Sequence, residues 1–180
     1  CKVMRLHGIN RDAFDRYISN KPSWYYEVVA PGYKYNMTDI ASTIGICQLK
    51  KAYKFHERRT QLARIYQEKL VHLPIKLPPV VANTTTDLHS WHLFVINILP
   101  EANITRDEFI VKMSEKGIGT SVHFIPLHIQ PYWRNEYKLK DSDFPNASLY
   151  YARAVSLPLY TRMSDESQDY VIKTINQILG

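Results

Sequence analysis

The side chains able to do chemistry fall at three places in this chain. Asn36 stands just ahead of Thr38, where a threonine cap and an acid in the first turn, Asp39, signal the start of a helix. An amide near the positive end of a helix can donate to a phosphate oxygen. It can equally help to cap the helix's own unpaired N–H groups. Lys34, between Tyr33 and Tyr35, offers a point charge and two phenols to an anion, or is simply a lysine on an exposed loop. His123 closes an expected strand and opens an aromatic loop, a common place for ligand groups; the alternative is a half-buried, satisfied histidine. His128 follows it with Pro126 between, which imitates a metal-ligand spacing. No cysteine or carboxylate stands beside the two histidines to complete a set, so no metal is expected.

These residues need elements to hold them. A helix is expected from Thr38 to about Leu49. With Ile40, Ala41, Ile44 and Cys47 it is apolar on most sides, so deep burial is expected, with Cys47 as a buried free thiol. A second helix is expected over 51–70, with Phe55, Leu62, Ile65, Tyr66 and Leu70 as its apolar stripe and His56, Glu57, Arg58 and Arg59 facing outward. Two helices in tandem suit a connector between domains. Upstream, residues 3–6 suggest a strand, 11–19 a short helix, and 24–30 a strand or extended loop ahead of the Pro31-Gly32 turn.

Downstream, strands and helices alternate after a polar loop at 84–87. Residues 92–98 read as a strand. Thr105 caps a helix over 106–116, with Phe109, Ile110 and Met113 inward and Gly117 as its stop. Residues 118–125 read as a strand and 126–144 as irregular. Asn146 opens a helix to Ala154, and 157–159 is extended. Ser164 starts a last helix over 165–179 that buries Tyr170, Ile172, Ile175 and Ile178. The expected class is α/β: the end of one domain plus connecting helices over 1–72, then a small α/β domain over 73–180.

The 180 residues carry 23 basic and 17 acidic side chains, a formal charge of +6. The bases are spread along the chain rather than gathered in a patch, and Arg58-Arg59 and Lys50-Lys51 fit a solvated helix face. Nucleic acid is therefore not an expected partner, although a module binding anionic carbohydrate or nucleic acid stays open on the charge alone. No run of about 18 apolar residues is present to span a membrane. Two cysteines make no disulfide framework and suit a reducing cytosol. The glycosylation-type sequons at Asn36, Asn83, Asn103 and Asn146 read as chance matches to a permissive tripeptide. A start at Cys1 within an expected strand suggests a piece of something longer.

Residues 31–51, PGYKYNMTDIASTIGICQLKK, resemble the hallmark segment of the DegT/DnrJ/EryC1/StrS family of sugar aminotransferases. Further motifs follow in order: His7-Gly8-Ile9, Arg58-Arg59, Ser90-Trp91-His92-Leu93-Phe94, the run GIGTSVHFIPLH from Gly117 to His128, and Leu157-Pro158-Leu159. The resemblance implies the C-terminal part of a fold-type-I enzyme that uses pyridoxal 5'-phosphate to move an amino group from glutamate to a keto nucleotide-sugar. It implies a cytoplasmic homodimer with shared active sites. Asn36 would contact the cofactor phosphate of the partner subunit; Lys34, Tyr35, His123, Phe124 and His128 would meet the substrate. Phe124 stands where many members have tyrosine. The lysine that holds the cofactor lies upstream of the His-Gly motif in the family, and no such segment precedes His7. No catalytic residue is therefore expected in this chain, and a fragment inactive alone is. Some relatives replace that lysine with histidine and dehydrate sugars, so dehydration is the alternative chemistry.

Overall fold

Two glycines decide how the first residues fold. Gly8 has φ +73°, and a Cβ there would collide with the carbonyl oxygen of Ala30; a Cβ on Gly32 would collide with the backbone nitrogen of Gly8. Only glycine lets these two backbones approach so closely. Around that crossing, residues 4–10 run antiparallel to 27–35, with bridges Leu6↔Lys34 and Ile9↔Val28. His7 N–H donates to Tyr33 O at 2.9 Å, and Tyr35 N–H to Arg5 O at 2.8 Å. The strand expected over 3–6 is instead a series of turns, because Arg5 and Leu6 bond back to Cys1 and Val3.

The computed structural model describes residues 1–10, 25–79 and 89–180. The helix expected over 11–19, the position of Trp24 and the polar loop at 84–87 lie outside the described residues. The chain forms two compact units, Cys1–Ala52 and Tyr53–Gly180.

In the first unit, helix α1 (Asp39–Leu49) buries no residue. Ile40 is 77% exposed and Leu49 74%, and Cys47 is exposed. Deep burial was the expectation for a helix apolar on most sides. Among the described residues of the first unit no surface covers it.

Helix α2 (Ala52–Leu70) starts at the last residue of the first unit and otherwise belongs to the second, where its inward face is Leu62, Ala63, Tyr66 and Leu70. A three-stranded antiparallel sheet follows in the order β1 (Ile75–Lys76), β2 (Phe94–Ile98), β3 (Ala154–Leu157). Register pairs Ile75 with Ile98, Phe94 with Leu157 and Ile96 with Val155. With period-2 alternation these residues share one face, and that face is the core. Helix α3 (Arg106–Glu115) packs on β3 and on the C-terminal helix. Its start is a full capping box: Thr105 Oγ1 accepts from Glu108 N–H, and Glu108 accepts from Thr105 N–H. Gly117, at φ +71°, ends it.

The segment expected as a strand over 118–125 makes one bridge only, Ser121↔Ser156 on the outer edge of β3. Pro126 lacks the N–H that longer pairing would need. The stretch 126–144, expected irregular, contains a short helix α4 (Pro131–Tyr137) with proline at its first position. Helix α5 (Pro145–Arg153) packs across β2, and α6 (Asp165–Leu179) starts at the Ser164 cap as expected. The inward residues of α6 are Gln168, Val171, Ile172, Thr174, Ile175 and Leu179. Tyr170 is 50% exposed rather than buried, and its hydroxyl donates to Lys116 O at 3.0 Å; an exposed ring with a satisfied hydroxyl suits an amphipathic side chain.

Arg58 and Arg59 do not form a solvated face. Arg58 Nη2 donates to Met163 O at 2.6 Å and to Asp165 at 2.7 Å, and Arg59 Nη1 to Trp91 O at 3.0 Å. A long fork reaches backbone carbonyls that a helical wheel cannot show.

Tyr66 is fully buried, its ring 5.0 Å from that of Phe94 and its hydroxyl donating to Pro158 O at 2.9 Å. Burial pushes the phenol's pKa well above its ordinary value. The folded chain keeps Tyr66 neutral while the unfolded chain ionises it at about pH 10. Its contribution is therefore complete below that pH and is lost as pH rises above it. Tyr66→Phe orphans the Pro158 carbonyl and should cost about 1–3 kcal/mol in urea unfolding at neutral pH. It should also flatten the decline in stability above about pH 10. Equal alkaline slopes in the two proteins would refute the assignment.

Candidate functional site

In the first unit, the hairpin-like crossing delivers residues 33–36 to the start of α1. Tyr33 and Tyr35 point the same way along extended backbone, their rings stacked at 5.1 Å. Lys34, between them, is exposed, as are Tyr35 and Asn36. No hydrogen bond joins the side chains of Lys34, Tyr35 or Asn36 to any described residue.

The cap of α1 separates the two readings of Asn36. Thr38 is the N-cap, with its Oγ1 accepting from Ala41 N–H at 3.3 Å. Asn36 is thus relieved of capping, and its amide is open. Asp39 already sets a negative charge in the first turn, which opposes a second anion at the helix end itself. An anion bound here would be met by the Asn36 side chain and the Lys34 ammonium rather than by the helix N-terminus.

In the second unit, His123 is half-buried and shares a hydrogen bond with Ser156 Oγ through Nδ1, at 2.8 Å. Ser156 lies on β3, so the sheet fixes the imidazole and leaves the Nε2 edge without a hydrogen-bond partner among the described residues. Phe124 is 77% exposed and packs edge-on to the His123 ring at 4.8 Å. It presents a flat apolar surface without a hydroxyl. His128 has a different setting. It is 4% exposed, stacked on Phe144 at 4.8 Å, with Nε2 2.8 Å from Ser148 Oγ. Ser148 Oγ donates its single proton to Asp141 O, so His128 Nε2 is the donor of the pair. The ring ties α5 to the loop after Pro126 and offers no open face.

The two histidines are therefore held by different elements, β3 and α5, and do not converge on a point. Lys34, Tyr35 and Asn36 are brought together in one unit, and His123 and Phe124 in the other. Ser156 and Ser148, which orient the histidines, went unnoticed in sequence; a serine two residues ahead of Pro158 carries no signal of its own. Pyridoxal phosphate demands a phosphate donor, and Asn36, exposed and with its amide open, fits that need.

Comparison with known proteins gives these groups a context. The model of the DegT/DnrJ/EryC1/StrS aminotransferase family matches residues 1–176. The chain is 45% identical over 180 residues to MJ1066 of Methanocaldococcus jannaschii, an uncharacterised protein, and 43% identical over 180 residues to SpsC of Bacillus subtilis, a spore coat polysaccharide biosynthesis protein. Each alignment covers 99% of this chain and 46% of the relative, so the chain spans about half the length of the relatives it matches. Among solved structures, Spr1654 of Streptococcus pneumoniae, described as a sugar aminotransferase and solved in a PMP form, superposes with a TM-score of 0.72 at 29% identity, over 98% of this chain and 43% of that one. PseC of Helicobacter pylori superposes with a TM-score of 0.73 at 21% identity, over 99% of this chain and 44% of that one, and shows the shared fold. The α/β architecture is that of the fold-type-I enzymes that use pyridoxal phosphate.

The capping geometry is directly testable by amide hydrogen exchange. Thr38→Ala should cost α1 about 1 kcal/mol and speed exchange at Ala41 roughly five-fold. Asn36→Ala should leave that amide unchanged. A comparable effect from both variants would return Asn36 to a capping role.

Proposed function

The chain belongs to the DegT/DnrJ/EryC1/StrS aminotransferase family, and from that membership we propose that the whole protein transfers an amino group from glutamate to a keto sugar carried on a nucleotide. The observation that carries this reading is the family match over residues 1–176, with SpsC, a polysaccharide biosynthesis protein, at 43% identity. Pyridoxal phosphate, when bound, supplies the ring that withdraws electrons from the reacting carbon. The lysine that holds it belongs, on this reading, to the part of the whole protein outside this chain.

Each residue here then has a positioning task. The Asn36 amide donates to the cofactor phosphate of the partner subunit in a homodimer with shared sites. Lys34 sets a point charge, and Tyr35 a phenol, against the anionic nucleotide-sugar. His123, oriented by Ser156, directs its Nε2 edge to a sugar hydroxyl, and Phe124 covers the sugar's apolar side. His128 acts at one remove, by fixing the loop that carries His123. Residues 1–72 close the large domain and supply the connecting helices, and 73–180 form the small domain. The two cysteines are free and exposed, which suits a reducing cytoplasm.

The complete protein should be yellow, and added glutamate should bleach it. Colour that glutamate leaves unchanged would exclude glutamate as donor and favour the dehydratase chemistry of the family. Asn36→Ala in the complete protein should weaken cofactor retention on gel filtration roughly ten-fold, as expected for one charge-assisted hydrogen bond. Full occupancy in that variant would remove Asn36 from the site.

A further inference from the structure

A cavity of about 570 Å³ lies on the second face of the sheet, opposite the core. That is the size of an ordinary small-molecule site. Leu93, Val95, Leu99 and Leu149 give it an apolar floor, and the rings of Tyr150 and His89 also line it. Its charges are of one sign. Lys76 and Arg153 line it, and no aspartate or glutamate does among the described residues.

The sheet register explains why the two cations meet. Lys76 on β1 is the cross-strand partner of Asn97 on β2, and Asn97 is the partner of Ala154 on β3. Cross-strand partners place their side chains on the same face, so Lys76 and Asn97 are neighbours there. Arg153 is the last residue of α5 and immediately precedes Ala154. The register thus brings the backbone of both cations to the two sides of Asn97, and both line the cavity with it. Arg153 is half-buried, and neither it nor Lys76 has an ion pair or side-chain hydrogen bond with any described residue. A half-buried guanidinium without an acceptor is uncommon in a folded chain, since its desolvation is left uncompensated.

The remaining polar groups are mostly donors too. Trp91 N–H donates to His89 Nδ1 at 3.0 Å, so the neutral imidazole carries its proton on Nε2. Asn97 and Asn146 add amides at the wall. Another cavity of this unit, about 560 Å³ near Gly117 and Tyr170, has the opposite character: Glu166 lines it and no cation does among the described residues.

We propose that this cavity, which none of the residues assigned to cofactor and substrate lines, is a second ligand site, and that it takes a phosphate monoester bearing an aromatic ring, the size of a nucleoside monophosphate. Two cations and no acid match the double negative charge of a monoester near neutral pH. Arg153 contributes the planar fork suited to two phosphate oxygens, and Lys76 the point charge. The apolar floor and the ring of Tyr150 receive the base.

The test is calorimetric titration of the complete, cofactor-loaded protein with adenosine 5'-monophosphate, with adenosine and inorganic phosphate titrated separately. One site per chain is expected, with each half of the ligand binding at least ten-fold more weakly than the whole. Arg153→Gln and Lys76→Gln should each weaken the monophosphate about ten-fold. Arg153→Lys should recover only part of the loss, since it keeps the charge at the end of α5 but not the fork. Lys34→Gln and His123→Gln should leave affinity unchanged. Loss of binding in those two with retention in Arg153→Gln would seat the ligand at the substrate site and overturn the proposal. No binding to the unaltered protein would also overturn it. Should Arg153→Gln fail to fold, Lys76→Gln, on the exposed edge of β1, decides the matter alone.

Discussion

The second unit hangs on one buried ring. Tyr66 brings α2 down on β2 through Phe94 and, through its hydroxyl, holds the carbonyl of Pro158 just beyond β3. Helix, central strand and edge strand are thereby located by a single side chain. Its ring supplies the apolar area, and its hydroxyl satisfies a carbonyl that would otherwise be stranded at the margin of the core. What lies beyond is a consequence of that placement. Ser156 stands two residues before Pro158, its backbone pairs with Ser121, and its hydroxyl meets His123. The orientation of a proposed substrate group is thus set by a residue of α2 far from it in sequence. This is how an exposed loop can carry a precise group: the loop itself is irregular, but one of its backbone pairs and one of its side chains are fixed to the sheet.

Features written in local chemistry could be read without coordinates. Thr105 and Ser164 announce α3 and α6 because a cap is a contact between residues three apart, and Gly117 ends α3 because the stop needs a left-handed residue at that position. Strand β2 was legible from HLFVINI, since a central strand buries every second residue. The segment 118–125 also carries β-branched and aromatic residues and failed as a strand, because pairing depends on a neighbour. The edge of β3 accepts it at Ser121 alone. Helix α1 is the converse case. Its apolar residues and the Thr38 cap correctly announce a helix, but the burial expected of it is not met among the described residues: a count of apolar residues cannot say what lies against them.

The site residues divide in the same way. Asn36 was ambiguous in sequence because amide caps and phosphate donors occupy similar positions at helix starts; the Thr38 cap takes over the capping task and leaves the Asn36 amide open. His123 and His128 looked equivalent, five residues apart on one motif. They differ because one meets a serine on a strand with its other edge open, and the other is enclosed between Phe144 and Ser148. Sequence gives the residue types, whereas the direction each ring faces depends on partners twenty to thirty-three residues away.

The surplus positive charge also resolves only with the partners in view. As a sum, +6 invites a nucleic-acid reading. In the structure, several of the guanidiniums are committed internally. Arg58 and Arg59 hold carbonyls at Met163, Trp91 and His92, and Arg106 holds the Tyr151 carbonyl while lying over the Tyr151 ring. Such arginines act as long donors that finish loop ends and helix ends, and their charge is incidental to that task. Net charge thus overstates how much cation a chain offers to a partner. Two groups of cations bear on the proposals above: Lys34, exposed next to Asn36, and Lys76 with Arg153 on the lining of one cavity. The cavity sets its two charges against an apolar wall, an arrangement that suits a small organic anion better than a polymer backbone, which needs many evenly spaced charges and little apolar area.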